Sequence, residues 1–306
     1  MPNISSVTVQ INGQTHTLTL NTSTGKYEAT LTAPSKSSYT INAGHYYDVV
    51  TSALDEYGNF TTVNSTHETL GDSLKLKVKE KVKPVIAVTT PTAGATVTNN
   101  KPVITVKVTD VDSGINTNTF KLYIDSGSAI AWAAGEATAV TGGYTWTYTP
   151  TTALSDGLHT IKVDVSDNDG NAATQTTQTF KVDTVPPVLS VTAPANDFYT
   201  NKTTVNIAGT TNDATSSPVA VTIKVNNVDA GAVTVQANGS FTKTVNLISQ
   251  MSANVIVVTA TDAAGKTSSV TRNVYCNTIA PVISAVTITP NPVDAGATYT
   301  ITVTVS

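Results

Sequence analysis

Cysteine occurs once in this 306-residue chain, at Cys276, so no disulfide can form within it. The cross-bridge that ties the two sheets of antibody domains together is therefore excluded, and apolar packing alone must hold any sandwich. Charge is scarce as well. Charged residues make up 12 % of the chain, against roughly 25 % in an ordinary globular protein. The formal net charge of −4 offers no excess of Lys and Arg, which excludes the electrostatic footprint of a nucleic-acid binder. No stretch approaches the roughly 20 apolar residues of a membrane helix. The opening Met1-Pro2-Asn3-Ile4-Ser5-Ser6 has neither the basic nor the apolar region of a secretory leader. Either a leader has been removed and a Met added, or the protein is made in the cytoplasm and does not pass through a secretion channel; the second is the expectation.

What fills the gap is Thr, Val, Ser and Ala, and the first two are β-branched residues that favour extended backbone. Three segments share one template: Tyr47–Asn59, His159–Asn171 and Asn254–Lys266. Aligned on Gly58, Gly170 and Gly265, an Asp stands three residues earlier each time, at Asp55, Asp167 and Asp262. Apolar residues stand nine and five before the glycine: Val49 and Ala53, Ile161 and Val165, Ile256 and Ala260. Period-two alternation running into a turn predicts a strand with one buried face. Glycine supplies the positive φ of the turn, and the Asp side chain bonds local amides.

Proline marks the starts of the units, at Pro84, Pro187 and Pro281, because it stiffens a junction and cannot join a central ladder. The boundaries expected are 1–83 (divergent), 84–184, 185–280 and 281–306, the last holding only two strands. Two strands cannot bury a sandwich core. In the second unit Ile104, Val106 and Val108 alternate with polar residues, as do Phe120, Leu122 and Ile124, and Tyr144, Trp146 and Tyr148. About seven short strands in roughly 100 residues describe an immunoglobulin-like sandwich. The fold class is all-β: tandem immunoglobulin-like β-sandwich domains joined by short Pro-containing linkers.

Asp156-Gly157-Leu158-His159-Thr160-Ile161, then Asp167 to Asn171, then Phe180-Lys181-Val182-Asp183-Thr184 with Pro186 and Pro187 carry a resemblance. The domain-three version is Val270 to Val274 followed by Thr278 and Pro281. The chain resembles the bacterial Ig-like repeats of surface adhesins and tailed-phage virion proteins, well over 84–280 and loosely over 1–83. The resemblance implies a non-enzymatic spacer, stalk or adhesion role. It also implies a calcium option, since some such adhesin repeats bind calcium through the turn and linker acids. The candidates are Asp167, Asp169 and Asp183, with Asp110 and Asp112. Calcium wants six to eight oxygens, Asn277 stands where Asp183 would align, and the first linker offers Lys81 and Lys83. Turn chemistry accounts for these acids without metal, so no cofactor is assigned.

No catalytic residue is assigned either. The histidines His16, His45, His67 and His159 lie in no nucleophile or metalloprotease motif. His159 reads as a corner residue capping backbone groups, and His16 as a surface-strand residue. Cys276 reads as a buried small hydrophobe. Trp132 sits in the irregular stretch 126–143, either as a lid on the sandwich or as an exposed platform for a sugar or partner. Lys75, Lys77, Lys79, Lys81 and Lys83 share one face of the closing strand 74–83, read as protection of an exposed edge. Contact with an anionic polymer or acidic subunit is the alternative. The expected role is a virion component of a tailed phage or phage-like particle. Its domains each reach roughly 35–40 Å and meet other virion or surface-structure subunits, or cell-surface glycans, by multivalency. No nucleic-acid partner and no membrane insertion are expected. The alternatives are a bacterial cell-surface adhesin or S-layer-associated fragment, and an accessory region of a secreted polysaccharide-degrading enzyme.

Overall fold

The computed structural model describes residues 3–250 and 252–306. Met1 and Pro2, where the leader was sought, and Met251 lie outside them. The first segment carries β1 (Ile4–Ile11), β2 (Gln14–Asn21), β3 (Lys26–Glu28), β4 (Tyr47–Asp55), β5 (Phe60–Val63) and β6 (Lys75–Leu76). The second carries β7 (Val85–Thr90), β8 (Thr96–Val97), β9 (Ile104–Thr109), β10 (Ile115–Ile124), β11 (Ile130–Ala131), β12 (Glu136–Val140), β13 (Gly143–Tyr148), β14 (Gly157–Asp167) and β15 (Thr176–Val182). The third carries β16 (Val188–Ala193), β17 (Phe198–Thr200), β18 (Thr204–Asn212), β19 (Ala220–Val225), β20 (Val228–Asp229), β21 (Ser240–Asn246), β22 (Asn254–Thr261) and β23 (Thr267–Cys276). A hairpin of β24 (Ile283–Thr289) and β25 (Thr300–Val305) follows.

The second segment is a two-layered sandwich, with sheets ordered β11-β10-β14-β15-β8 and β12-β13-β9-β7. Its alternating residues meet between the layers: Ile104, Val106, Val108, Leu122, Trp146, Ile161, Val163 and Phe180 are all buried. Burying such side chains contributes about 1.5–3 kcal/mol each. The third segment repeats the plan with β16-β18-β21 against β17-β23-β22-β19-β20, around Ile207, Ile223, Phe241, Ile256, Val258 and Val274. Cys276 closes this core, fully buried, with its thiol donating to the Lys202 carbonyl at 3.2 Å.

The first segment departs from that plan. Its strands form one sheet, β3-β2-β1-β4-β5, with β6 paired to the start of β4. Among the described apolar residues of this segment only Val9 and Tyr47 are buried, and the repeat positions Val49 and Ala53 are half-buried. The reason lies in the partner layer: residues 29–46, which would have to supply it, form no strand. The closing strand expected over 74–83 shortens to Lys75–Leu76. Beyond it, the backbone of Val78 is held by the buried Ser38, whose N–H donates to the Val78 carbonyl at 2.9 Å and whose hydroxyl accepts from the Val78 N–H at 3.1 Å. A single serine has replaced a ladder. Lys75 pairs with Asp72 at 2.7 Å, and Lys79 donates to the Asp169 carbonyl at 3.2 Å.

Residues up to Val182 form one compact unit and residues from Asp183 a second. Within the first unit, hydrogen bonds cross residue 83. Ser37 N–H donates to Asp112 at 2.8 Å, Glu80 N–H to Asp169 at 3.0 Å, and the Asn171 amide to the Glu80 carbonyl at 3.1 Å. The β24–β25 hairpin is exposed at every strand position.

Candidate metal centres

The turn glycines take the predicted left-handed conformation, with φ of +87° at Gly58, +94° at Gly170 and +85° at Gly265. Each turn Asp accepts a backbone N–H four residues on: Asp55 from Asn59 at 2.8 Å, Asp167 from Asn171 at 2.8 Å, Asp262 from Lys266 at 2.9 Å. In the first two turns the asparagine amide also satisfies the second carboxylate oxygen, at 2.8 Å on Asp55 and 2.7 Å on Asp167. Lys266 has no such amide at the third.

A second acid follows one core strand of each sandwich. Asp110 comes directly after β9 and Asp213 directly after β18. Each folds back on its own loop. Asp110 accepts the N–H groups of Asp112 at 3.1 Å and Gly114 at 2.8 Å, while Asp213 accepts those of Thr215 at 2.8 Å and Ser216 at 2.6 Å. The third acid comes from the linker, four residues ahead of the proline: Glu80 before Pro84 and Asp183 before Pro187. Glu80 accepts the Val82 N–H at 2.7 Å, Asp183 the Val185 N–H at 3.3 Å. Asn277 occupies the same place before Pro281 and accepts the Ile279 N–H at 3.0 Å. The linker turn is thus kept in all three, with a neutral amide in the last.

These acids converge in two sets, Glu80–Asp110–Asp167 and Asp183–Asp213–Asp262, each with one oxygen per residue within 4.8 Å of the others. All six residues are buried, from 0 % exposed for Asp167 and Asp183 to 8 % for Glu80. Buried polar atoms are nearly always hydrogen-bonded, yet Oδ2 of Asp110, Asp183 and Asp262 and the Ser216 hydroxyl have no partner. Two ionised carboxylates 4.8 Å apart repel by about 3.5 kcal/mol at an effective dielectric constant of about 20. Burial, and then the charges of Asp110 and Asp167, hold the Glu80 carboxyl above the usual carboxylate range despite bonds from Val82 and Ser113. Buried oxygen-only donor sets with orphaned lone pairs and uncompensated negative charge suit a hard divalent cation.

Asp110 and Asp167 from the sequence candidates meet in the first set, while Asp183 belongs to the second. Asp112 and Asp169 belong to neither, being occupied by Ser37 and Glu80 backbone N–H groups. Glu80, Asp213 and Asp262 were missed as ligands. The spacing carried the signal: Glu80 and Asp110 lie 30 residues apart, as do Asp183 and Asp213.

Of the remaining residues, His159 is a corner residue, with Nδ1 2.8 Å from Asp125 Oδ2 and Nε2 2.7 Å from the Ser155 carbonyl. Trp132 is a lid. It packs edge-on against Phe120 at 5.1 Å and Tyr144 at 5.3 Å, and its carbonyl accepts from the Trp146 indole at 2.9 Å. His16 is half-buried on β2 opposite Val9.

Comparison with known proteins follows the same division of the chain. Residues 92–184 match the family described as bacterial Ig-like domain, and residues 187–278 match glucodextranase domain B. No curated protein matches the chain. Among solved structures it is similar to the fibronectin(III)-like modules of Clostridium thermocellum CbhA, at 18 % identity and a TM-score of 0.36, over 63 % of this chain and 94 % of that one. An I-band fragment of titin is similar at 11 % identity and a TM-score of 0.40, over 89 % and 87 % of the two chains. A domain fragment of intimin is similar at 14 % identity and a TM-score of 0.28, over 62 % and 99 %. The chain is an all-β array of tandem Ig-like repeats, a class consistent with structural or adhesive work. No helix among the described residues is long and apolar enough to cross a membrane.

Proposed function

We propose that this chain is a non-catalytic stalk or adhesion region whose linkers are fixed by divalent cations. The supporting observation is the matched pair of buried acid triads, three of whose carboxylate oxygens have no partner. Calcium is the cation of choice, because it accepts six to eight oxygens in flexible geometry. Glu80, Asp110 and Asp167 would hold one ion, and Asp183, Asp213 and Asp262 the other, with water completing each shell. A bound divalent cation offsets two of the triad's three negative charges and pins the linker acid to the sandwich that follows it. Glu80 and Asp183 head their linkers, four residues before Pro84 and Pro187, so the ion acts on the linker.

The stalk sits on a particle or cell surface, and the virion of a tailed phage or phage-like particle is the leading assignment. Its support is the resemblance of residues 84–280 to the repeats of such virion proteins. A bacterial cell-surface adhesin is the alternative within that class. The match of residues 187–278 to glucodextranase domain B favours a further reading, an accessory region of a polysaccharide-degrading enzyme. The partners proposed are neighbouring surface-structure subunits and cell-surface glycans.

Calorimetric titration of the chelator-treated chain with calcium tests the cation reading, with two binding events expected. At a hundredfold excess over Kd each ion stabilises the folded state by about 2.7 kcal/mol. Identical unfolding curves in calcium and in chelator would refute it. Copurification of the native protein with particles, and its intact mass, decide among the assemblies. A longer product bearing a cell-wall anchor or a glycosidase domain would defeat the virion assignment.

A further inference from the structure

We infer that the recess beside Tyr199 and Tyr275 is a binding site for a neutral saccharide. Tyr199 lies on β17, the outermost strand of its sheet, directly paired with Tyr275 on β23. Their rings stack with centroids 4.7 Å apart and planes 12° from parallel. Tyr275 is half-buried, whereas Tyr199 is 72 % exposed. The ring face of Tyr199 turned away from Tyr275 is therefore an apolar plane open to water, held in place by the stacked neighbour.

Beside the two rings, both of which line it, opens a recess of about 620 Å³ whose other polar lining is amide and hydroxyl: Asn201, Gln250, Asn277 and Thr200. These groups are only partly engaged. Asn277 accepts the Ile279 N–H through Oδ1, leaving its NH₂ as a donor. Gln250 donates to the Ala253 carbonyl at 3.4 Å, leaving Oε1 as an acceptor. Thr200 accepts the Lys202 N–H, leaving its own hydroxyl proton free to donate. Asn201 makes no side-chain hydrogen bond among the described residues. A sugar ring presents the complementary pair of surfaces, an apolar C–H face for stacking and hydroxyls that both donate and accept. The lining contains no carboxylate, ammonium or guanidinium group, so an anionic or cationic ligand finds no counter-charge there. A single platform of this size gives weak affinity, useful through repetition.

The inference rests on the surface-contact reading above and names its ligand class and place. Affinity electrophoresis of the full chain in native gels containing dextran, mannan or a mixed-linkage β-glucan tests it. Retardation is expected in at least one gel. Tyr199→Ala should weaken it about tenfold or more, the usual cost of losing a central aromatic contact. Asn277→Ala should weaken it less, and Tyr199→Phe should preserve it because the ring plane remains. Circular dichroism of each variant checks that the fold survives. Retardation unchanged by Tyr199→Ala would overturn this site while leaving the glycan reading standing. No retardation of the unaltered chain in any gel would overturn both, and would leave the cation titration unaffected.

Discussion

Asp262→Asn should reverse sign with the ionic conditions. In the folded chain Asp262 Oδ1 accepts the Lys266 N–H at 2.9 Å while Oδ2 is buried without a partner. Asparagine keeps the accepting oxygen, so the turn survives, but removes one charge from the triad with Asp183 and Asp213. At 4.8 Å each repulsion removed is worth about 3.5 kcal/mol at an effective dielectric constant of about 20. Side-chain relaxation and water entry reduce the sum of the two, so a net gain of about 2 kcal/mol is expected in chelator. For a sandwich of about 100 residues that is an upward shift of about 10 °C in its Tm. In excess calcium the order inverts, because the variant forgoes the roughly 2.7 kcal/mol that a cation at a hundredfold its Kd provides. Differential scanning calorimetry of both proteins in chelator and in calcium reads the four values. A variant that is less stable by the same amount in both buffers would refute the reasoning and make Asp262 a turn residue only.

Lys266→Asn should place an amide where Asn171 serves Asp167, stabilising the chelated chain by about 1 kcal/mol in urea unfolding and weakening calcium binding. Burial, the strongest influence on His159, opposes its charge, but the Ser155 carbonyl and Asp125 together outweigh it and raise its pKa above the usual 6.5. The raised folded pKa means that its stabilisation is full below the unfolded value and fades as pH climbs through the folded one. An NMR titration of its ring should give a midpoint above that of a model histidine, and His159→Gln should flatten this part of the pH–stability curve. Glu80, also raised, has the same sign: in chelator the first unit should gain stability as pH falls through the folded pKa of Glu80, and calcium should abolish the gain. Trp132→Ala should cost about 2–4 kcal/mol by unroofing Phe120 and Trp146, measured by denaturant midpoint.

The sandwiches were legible because their information is local. Strand β14 alternates over Ile161, Val163 and Val165 and ends in a turn whose glycine and Asp have one conformation open to them. The triads are not local. Glu80 stands between Lys79 and Lys81, and only its distance from Pro84, matching that of Asp183 from Pro187, marks it as a linker acid. Asp213 lacks the Asp-x-Asp appearance of its counterpart Asp110, so its role emerges only when the loop folds over the turn. Assigning every acid to turn chemistry missed that one carboxylate has two oxygens: the turn takes Oδ1 and leaves Oδ2. The single sheet of the first segment was hidden for a different reason. Residues 1–83 carry strand-like alternation, but alternation alone does not say whether a second layer exists to receive the inward face.

That thin first sheet has a mechanical consequence. With Val9 and Tyr47 as its buried apolar residues, it leans on Ser38 and on bonds to Asp112, Asp169 and Asn171 instead of a core of its own. Under tension applied along the chain, these few polar ties would part before either sandwich is breached. Only the ladders of β1 to β5 would then hold residues 3–83, and their unzipping would lengthen the chain while both sandwiches stay folded.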